Sequence, residues 1–258
     1  MSNILKHNRQ SKRYNNYAKR VFYKALKTAV TPLIQNKGGD LNPVPMQQAF
    51  YQVYIYVGTD AAKVEYERLR KQEPVKDLGL DLLVNSWAQW MRTFVAQSLG
   101  KRIQDINANT QRAVNKALQD GLEAGETDKE IQDRIYNQTL GLIGRNRAAL
   151  IGRTETTNAS NTGKLKSAKD WALPQGVDLY KKWLNTDRPT ERRTHQDEDD
   201  KPPIPVNERF QVFNPNGGVD YMMHPGDQIA GADQVCNCNC TVVYMSKRYA
   251  ERNYNLYA

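Results

Sequence analysis

Cys236, Cys238 and Cys240 alternate within five residues near the end of the 258-residue chain, and it contains no other cysteine. Upstream lie His195, the acidic run from Asp197 to Asp200, and His224. Zinc takes four N, S or O donors in a tetrahedron. His195, Asp199, Cys238 and Cys240 are therefore candidate ligands of a structural zinc ion, with His224 or Cys236 as substitutes. The same side chains also read as a hydrolase-like triad, with a cysteine nucleophile, His195 as its base and Asp199 orienting the base. A third reading is a metal-free buried cluster, because small thiols are common in cores. His195 would then anchor its loop by hydrogen bonds. Sequence leaves all three open.

These residues need elements to bring them together. The alternation continuing through Val242 and Tyr244 predicts a strand over 236–245, which would put all three thiols on one face. Same-face neighbours on a strand have Cα atoms about 6.6 Å apart, near the upper limit for a disulfide. With no distant cysteine to bridge to, that usage suits a reducing compartment. A second strand is expected over 177–184. Residues 186–235 hold six of the chain's eleven prolines and read as long ordered loops.

The first 140 residues read as helical. Tyr14, Tyr17, Ala18, Val21, Phe22, Ala25, Leu26 and Ala29 follow the i, i+3, i+4, i+7 rhythm of an amphipathic helix. The pattern resumes at Met46 through Val57 after a turn-rich stretch at 38–45, and a separate piece is expected over 60–73. From 82 to 118 it predicts one long helix or two with a break near Gly100, with Trp87, Trp90 and Phe94 on a core stripe. Thr127-x-x-Glu130 is a capping-box start, and a further helix runs from Gly144 to Trp171. The fold class is α+β: an all-helical N-terminal half, then a small mixed α+β module with long Pro-rich loops. The expected divisions are a basic arm and helix start over 1–40, a helical domain over 41–143, a module over 144–246 and a tail over 247–258.

Charge is uneven. Residues 1–39 carry nine Lys or Arg and no Asp or Glu, while the rest of the chain balances at 28 of each sign, giving the net +9. Such a footprint suits a polyanion, because neutralising phosphates releases condensed counterions. Lys6, Arg9, Lys12, Arg13, Lys19, Arg20, Lys24 and Lys27 are the candidate nucleic-acid contacts; the competing reading is a solvated helix face. There is no run of 18 apolar residues and no secretory-type leader, so neither a membrane span nor export is expected.

Arg147 and Gly152-Arg153-Thr154-Glu155, then Trp183, Asp187-Arg188-x4-Arg193-Thr194-His195-x3-Asp199, Phe210, His224-Pro225-Gly226-Asp227 and Asn237-Cys238-Asn239-Cys240-Thr241 come in an order that resembles the phage Mu F-like head morphogenesis family. The likeness covers roughly 145–244. It departs from the family at Asp200, where a glycine is usual, at Asn239, where the family commonly has Arg, and in the additional Cys236.

The resemblance implies a minor head protein of a tailed bacteriophage, at the inner capsid surface near the portal and in the host cytoplasm during assembly. Portal protein, packaged double-stranded DNA and major capsid protein are the implied partners, and head assembly with DNA packaging or ejection is the implied role. No enzyme activity is expected; the alternative is a hydrolase or nuclease using His195 and the cysteine cluster during DNA entry. Arg153, Glu155, Trp183, Pro225, Gly226 and Asp227 are the expected structural residues of the module. Arg153 and Glu155, two apart on a helix, should find separate partners. A buried ion pair fixing this helix to the sheet is the favoured role.

Overall fold

The computed structural model describes residues 2–73, 79–186, 192–214, 216–254 and 256. Asp187, Arg188 and the Lys6 side chain lie outside them. Six helices come first: α1 (Ser2–Gln35), α2 (Val44–Gln72), α3 (Leu80–Ser98), α4 (Gly100–Glu123), α5 (Asp128–Thr139) and α6 (Leu142–Ala172). The smaller elements follow as β1 (Leu179–Leu184), α7 (Arg193–Asp200), β2 (Ile204–Pro205), β3 (Phe210–Phe213), β4 (Val219–Met222), α8 (Ala232–Val235), β5 (Thr241–Ser246) and α9 (Lys247–Asn253). The fold is α+β, helical first, as the sequence patterning predicts.

The helices form where periodicity demands them. Tyr14, Ala18, Phe22, Leu26 and Leu33 of α1 are buried, so the basic segment is a docked helix rather than a free arm. Thr127 and Glu130 make the reciprocal capping box that starts α5. The break near Gly100 is real, falling at Leu99 between α3 and α4. The break expected before Asp60 is absent, and α2 runs unbroken from Val44 to Gln72. Gly58 marks close packing there: a Cβ on Gly163 of α6 would lie 2.1 Å from the Gly58 carbonyl oxygen.

Two apolar clusters result. Phe22, Phe50, Val53, Val57, Met91, Val114, Ile135 and Ala148 belong to the helical one. Tyr66, Trp87, Trp171, Trp183, Val242 and Tyr244 belong to the other, where helix meets sheet. Helices α2, α3 and α6 contribute to both, so the division expected at 143/144 does not coincide with a gap in packing. Trp87 is buried, and Trp90 stacks on Phe94 at 5.6 Å, which makes that stripe core.

The sheet has the order β2-β1-β5, all antiparallel, with Trp183 opposite Val242. A separate hairpin pairs β3 with β4. The outer edge of β5 would offer unpaired backbone groups, but buried helix side chains take them. Val242 N–H donates to Asn161 Oδ1 (3.3 Å), Tyr244 N–H donates to Glu65 Oε1 (3.2 Å), and Arg68 donates to the Tyr244 carbonyl. This explains the long buried polar run of α6, Thr154 to Lys164, which has no apolar stripe. Its side chains serve as backbone partners for the sheet and for the loops above it.

Candidate metal centre

Residues 236–240 are not a strand. Cys236 follows α8, Asn237 adopts left-handed backbone (φ 63°), and β5 begins only at Thr241. The reason is the hydrogen bonding offered by α6 and α1. Asn237 N–H donates to Thr154 Oγ1 (3.0 Å), Thr157 Oγ1 to the Cys238 carbonyl (2.7 Å) and Asn161 Nδ2 to the Cys240 carbonyl (3.2 Å). Ser11 Oγ donates to Asn239 Oδ1 at 2.8 Å, and Arg153 donates to Asn237 Oδ1. The loop wraps α6 with Cys238 and Cys240 turned inward and buried, while Cys236 is half-buried.

His195, from the first turn of α7, meets them. Its Nδ1 lies 3.6 Å from the sulfur of Cys238 and 3.6 Å from that of Cys240. All three ligand atoms lie within 4.8 Å of one another, and all three residues are buried. On the far side of the ring, His195 Nε2 is 3.0 Å from Gln234 Oε1, and Gln234 Nε2 donates to the Phe213 carbonyl at 2.9 Å. The second bond fixes which way the amide points, so its oxygen faces the imidazole. His195 therefore carries its proton on Nε2, leaving the Nδ1 lone pair aimed at the thiols. Trp183 closes the site with its ring edge-on to His195, centroids 5.1 Å apart.

Among the described residues the donor set fits three of the four corners of a tetrahedral zinc site. Zn–N of about 2.05 Å and Zn–S of about 2.3 Å at a tetrahedral angle give an N···S edge of about 3.6 Å, which both observed edges match. The Cys238 thiol is held well below its ordinary range by the hydrogen bond with Cys240, against burial, which pushes it up. A low-lying thiol is the form a metal takes.

The other expected ligands are elsewhere. Asp199 Oδ2 accepts from Asn185 N–H (3.1 Å) and its carboxylate faces Lys182 (3.7 Å). The last turn of α7 thus turns it toward β1 instead of the thiols. His224 is bonded to Thr162 Oγ1 (3.2 Å) through Nε2 and to the Pro225 carbonyl (3.1 Å) through Nδ1, and burial lowers its pKa. Pro225-Gly226-Asp227 is a tight turn with Gly226 at φ 79°, pressed against Thr157 and Asn158 of α6. Among the described residues, His195, Cys238 and Cys240 are the one His/Cys/Asp/Glu group placed to share an ion.

Arg153 and Glu155 do have separate partners. Glu155 is buried against Arg102 of α4 and accepts from Tyr54 Oη at 2.7 Å. It fixes α6 to the other helices, not to the sheet, because it projects from the side of α6 that faces α2 and α4. Burial, the leading influence, raises its pKa, and Arg102 opposes the rise. Of the basic candidates on α1, Arg13 is paired with Asp60, while Arg9, Lys12, Lys19, Arg20, Lys24 and Lys27 are exposed. Sequence reading missed Gln234 and Asn161, since one glutamine in a loop and one asparagine in a helix carry no pattern.

Compared with known proteins, the chain matches no family model, no curated protein and no solved structure.

Proposed function

We propose that this chain is a minor head protein of a tailed bacteriophage, a non-enzymatic virion component inside the capsid near the portal that aids head assembly and DNA packaging or ejection. Its C-terminal module is closed by a structural zinc clasp in which His195, Cys238 and Cys240 supply three of the four ligands. The observation that carries the structural reading is burial: His195 is 0% exposed and the two thiols 1% each. A nucleophile needs a path to its substrate, whereas a clasp needs none.

The ordered motifs support the same reading. Although spread over 86 residues, these motifs meet: Arg153 bonds Asn237, Trp183 packs on His195, and His195 faces Cys238. Metal would supply the cross-link that a loop-rich segment with little apolar content lacks. The hydrolase or nuclease alternative is weakened by the base's second nitrogen, which meets the neutral Gln234 and not Asp199.

Elemental analysis of the purified protein is expected to give about one zinc per chain, lost in a His195→Ala, Cys238→Ser double variant. Metal-free wild-type protein would overturn the clasp. Co-expression with the portal protein of the same phage genome is expected to yield a co-purifying complex, and its failure would count against the head-protein assignment. A substrate turned over by wild type and not by a folded His195→Ala variant would establish the enzymatic alternative.

A further inference from the structure

Helices α1 and α6 pack side by side, and on the outer side of their contact runs a groove of about 480 Å³ lined by Asn8, Lys12, Asn15, Asn16 and Lys19 of α1 and by Ala149 and Arg153 of α6. The α1 residues share one face, at i, i+4, i+7, i+8 and i+11. Arg153 projects toward them from α6, and Ala149 is small enough to leave the space open. No lining residue is acidic, and the described residues show no carboxylate paired with Lys12, Lys19 or Arg153. Three cations and three side-chain amides thus line one channel whose only apolar side chain is a methyl group.

We infer that this groove is a binding site for the phosphodiester backbone of double-stranded DNA, with Lys12, Lys19 and Arg153 as its phosphate contacts. Protein partners are anchored by buried aromatic or aliphatic side chains, and the groove offers none. Backbone phosphates are contacted by Lys, Arg and Asn side chains without sequence preference, which is the set present. Lys12 and Lys19 are separated by about 10 Å along the helix, far enough apart to contact different phosphates.

The assignment narrows the basic segment. Arg13 is removed from the contact set by Asp60. Arg153, which sequence order marks only as a module residue, joins it. Through Arg153 the groove adjoins the cysteine loop, since the same guanidinium donates to Asn237 Oδ1.

This inference rests on the proposed role in DNA packaging or ejection, and the experiment separates contact with DNA from contact through this groove. Full-length protein is titrated against a fluorescein-labelled 30-bp duplex at several salt concentrations, and log K is plotted against log salt. Wild type is compared with a Lys12→Gln, Lys19→Gln, Arg153→Gln triple variant, an Arg13→Gln variant, and an Arg20→Gln, Lys24→Gln variant from the opposite flank of α1. The triple variant is expected to lower the slope by about 2.7, about 0.9 for each lost phosphate contact, and to weaken binding more than tenfold at the lowest salt. Arg13→Gln should leave the slope as it is. An unchanged slope in the triple variant, or an equal drop in the Arg20, Lys24 variant, overturns the groove while leaving DNA contact standing. No salt-dependent binding by wild type overturns both. Because Arg153 holds Asn237, a Lys12→Gln, Lys19→Gln double variant is run alongside; it leaves that bond intact and should lower the slope by about 1.8.

Discussion

At the scale of single residues, the candidate metal centre depends on a side chain that is not a ligand. Gln234 Oε1 accepts a hydrogen bond from His195 Nε2, and the amide is itself oriented by the Phe213 carbonyl. Partners of this kind set ring orientation and tautomer, and losing them typically lowers metal affinity by about 10–100-fold. Gln234→Ala is expected to weaken zinc by that factor with all three ligands in place, measured by competition with a chromophoric chelator. Unchanged affinity would show that packing against Trp183 is enough to orient the ring. A second residue gives a pH test. Lys181 on β1 is fully buried, its ammonium donating to the Met223 carbonyl (2.8 Å) and lying 4.8 Å from the Phe210 ring. Burial, first among the influences on it, pulls its pKa from 10.5 to about 7. Between those two values the unfolded chain binds more protons than the folded one, so this amine makes folding more favourable as pH rises through that window. The stability of wild type relative to Lys181→Met, from urea melts, should therefore increase from about pH 7 to about pH 10. A difference that stays flat would mean the amine is solvated in the folded state.

At the scale of elements, the decisive contacts are those that let α6 approach its neighbours. A Cβ on Gly163 would meet the Gly58 carbonyl oxygen at 2.1 Å, and this obstacle is backbone that cannot swing aside. Gly163→Ala should therefore force α2 and α6 apart and cost about 3 kcal/mol or more, measured by chemical denaturation. Gly100→Ala is the control: its Cβ would meet nothing within 4 Å at the start of α4, and better helix propensity should give about 0.5 kcal/mol of stabilisation. Asn161 is the polar counterpart. It donates to the Pro225 and Cys240 carbonyls and accepts from Thr241 Oγ1 and Val242 N–H. Asn161→Ala leaves several buried groups without partners, at about 1–3 kcal/mol each, so a total of about 3 kcal/mol or more is expected. These positions also mark where the chain was readable. Helices α1 to α5 announce themselves through periodicity and, at Thr127, through a cap. The separate piece expected over 60–73 is instead the second half of α2, which runs unbroken from Val44 to Gln72. The cysteine segment was misread as strand because Cys-x-Cys-x-Cys alternates like one, and nothing local reveals that Thr154, Thr157 and Asn161 will hold its backbone in a loop. The convergence of His195 with Cys238 and Cys240 was legible as residue types, but the exclusion of Asp199 was not, because the last turn of α7 decides it.

At the scale of the whole molecule, the sharing of α2, α3 and α6 between the two apolar clusters predicts a single cooperative folding transition. The sheet gets its edge partners from Glu65, Arg68 and Asn161, and the cysteine loop gets Ser11 of α1, Thr157 and Asn161. Each half thus draws hydrogen-bond partners from the other. Far-UV circular dichroism, dominated by helices α1 to α6, and near-UV signals from the buried Trp171 and Trp183 should therefore give coincident urea transitions. Separate midpoints would show that the helical half folds independently. Deleting residues 1–37 would remove α1, expose Phe50 where Phe22 packs at 5.2 Å, and strip Asn239 of its bond to Ser11. Such a truncation should lose its cooperative transition together with any metal it holds. Substitutions that remove charge from Lys12 and Lys19 should keep both, because their side chains project to solvent from a helix whose opposite face is the core. If the truncated protein retains a sharp transition and its zinc, α1 is an appendage, and the groove beside α6 cannot be a fixed site.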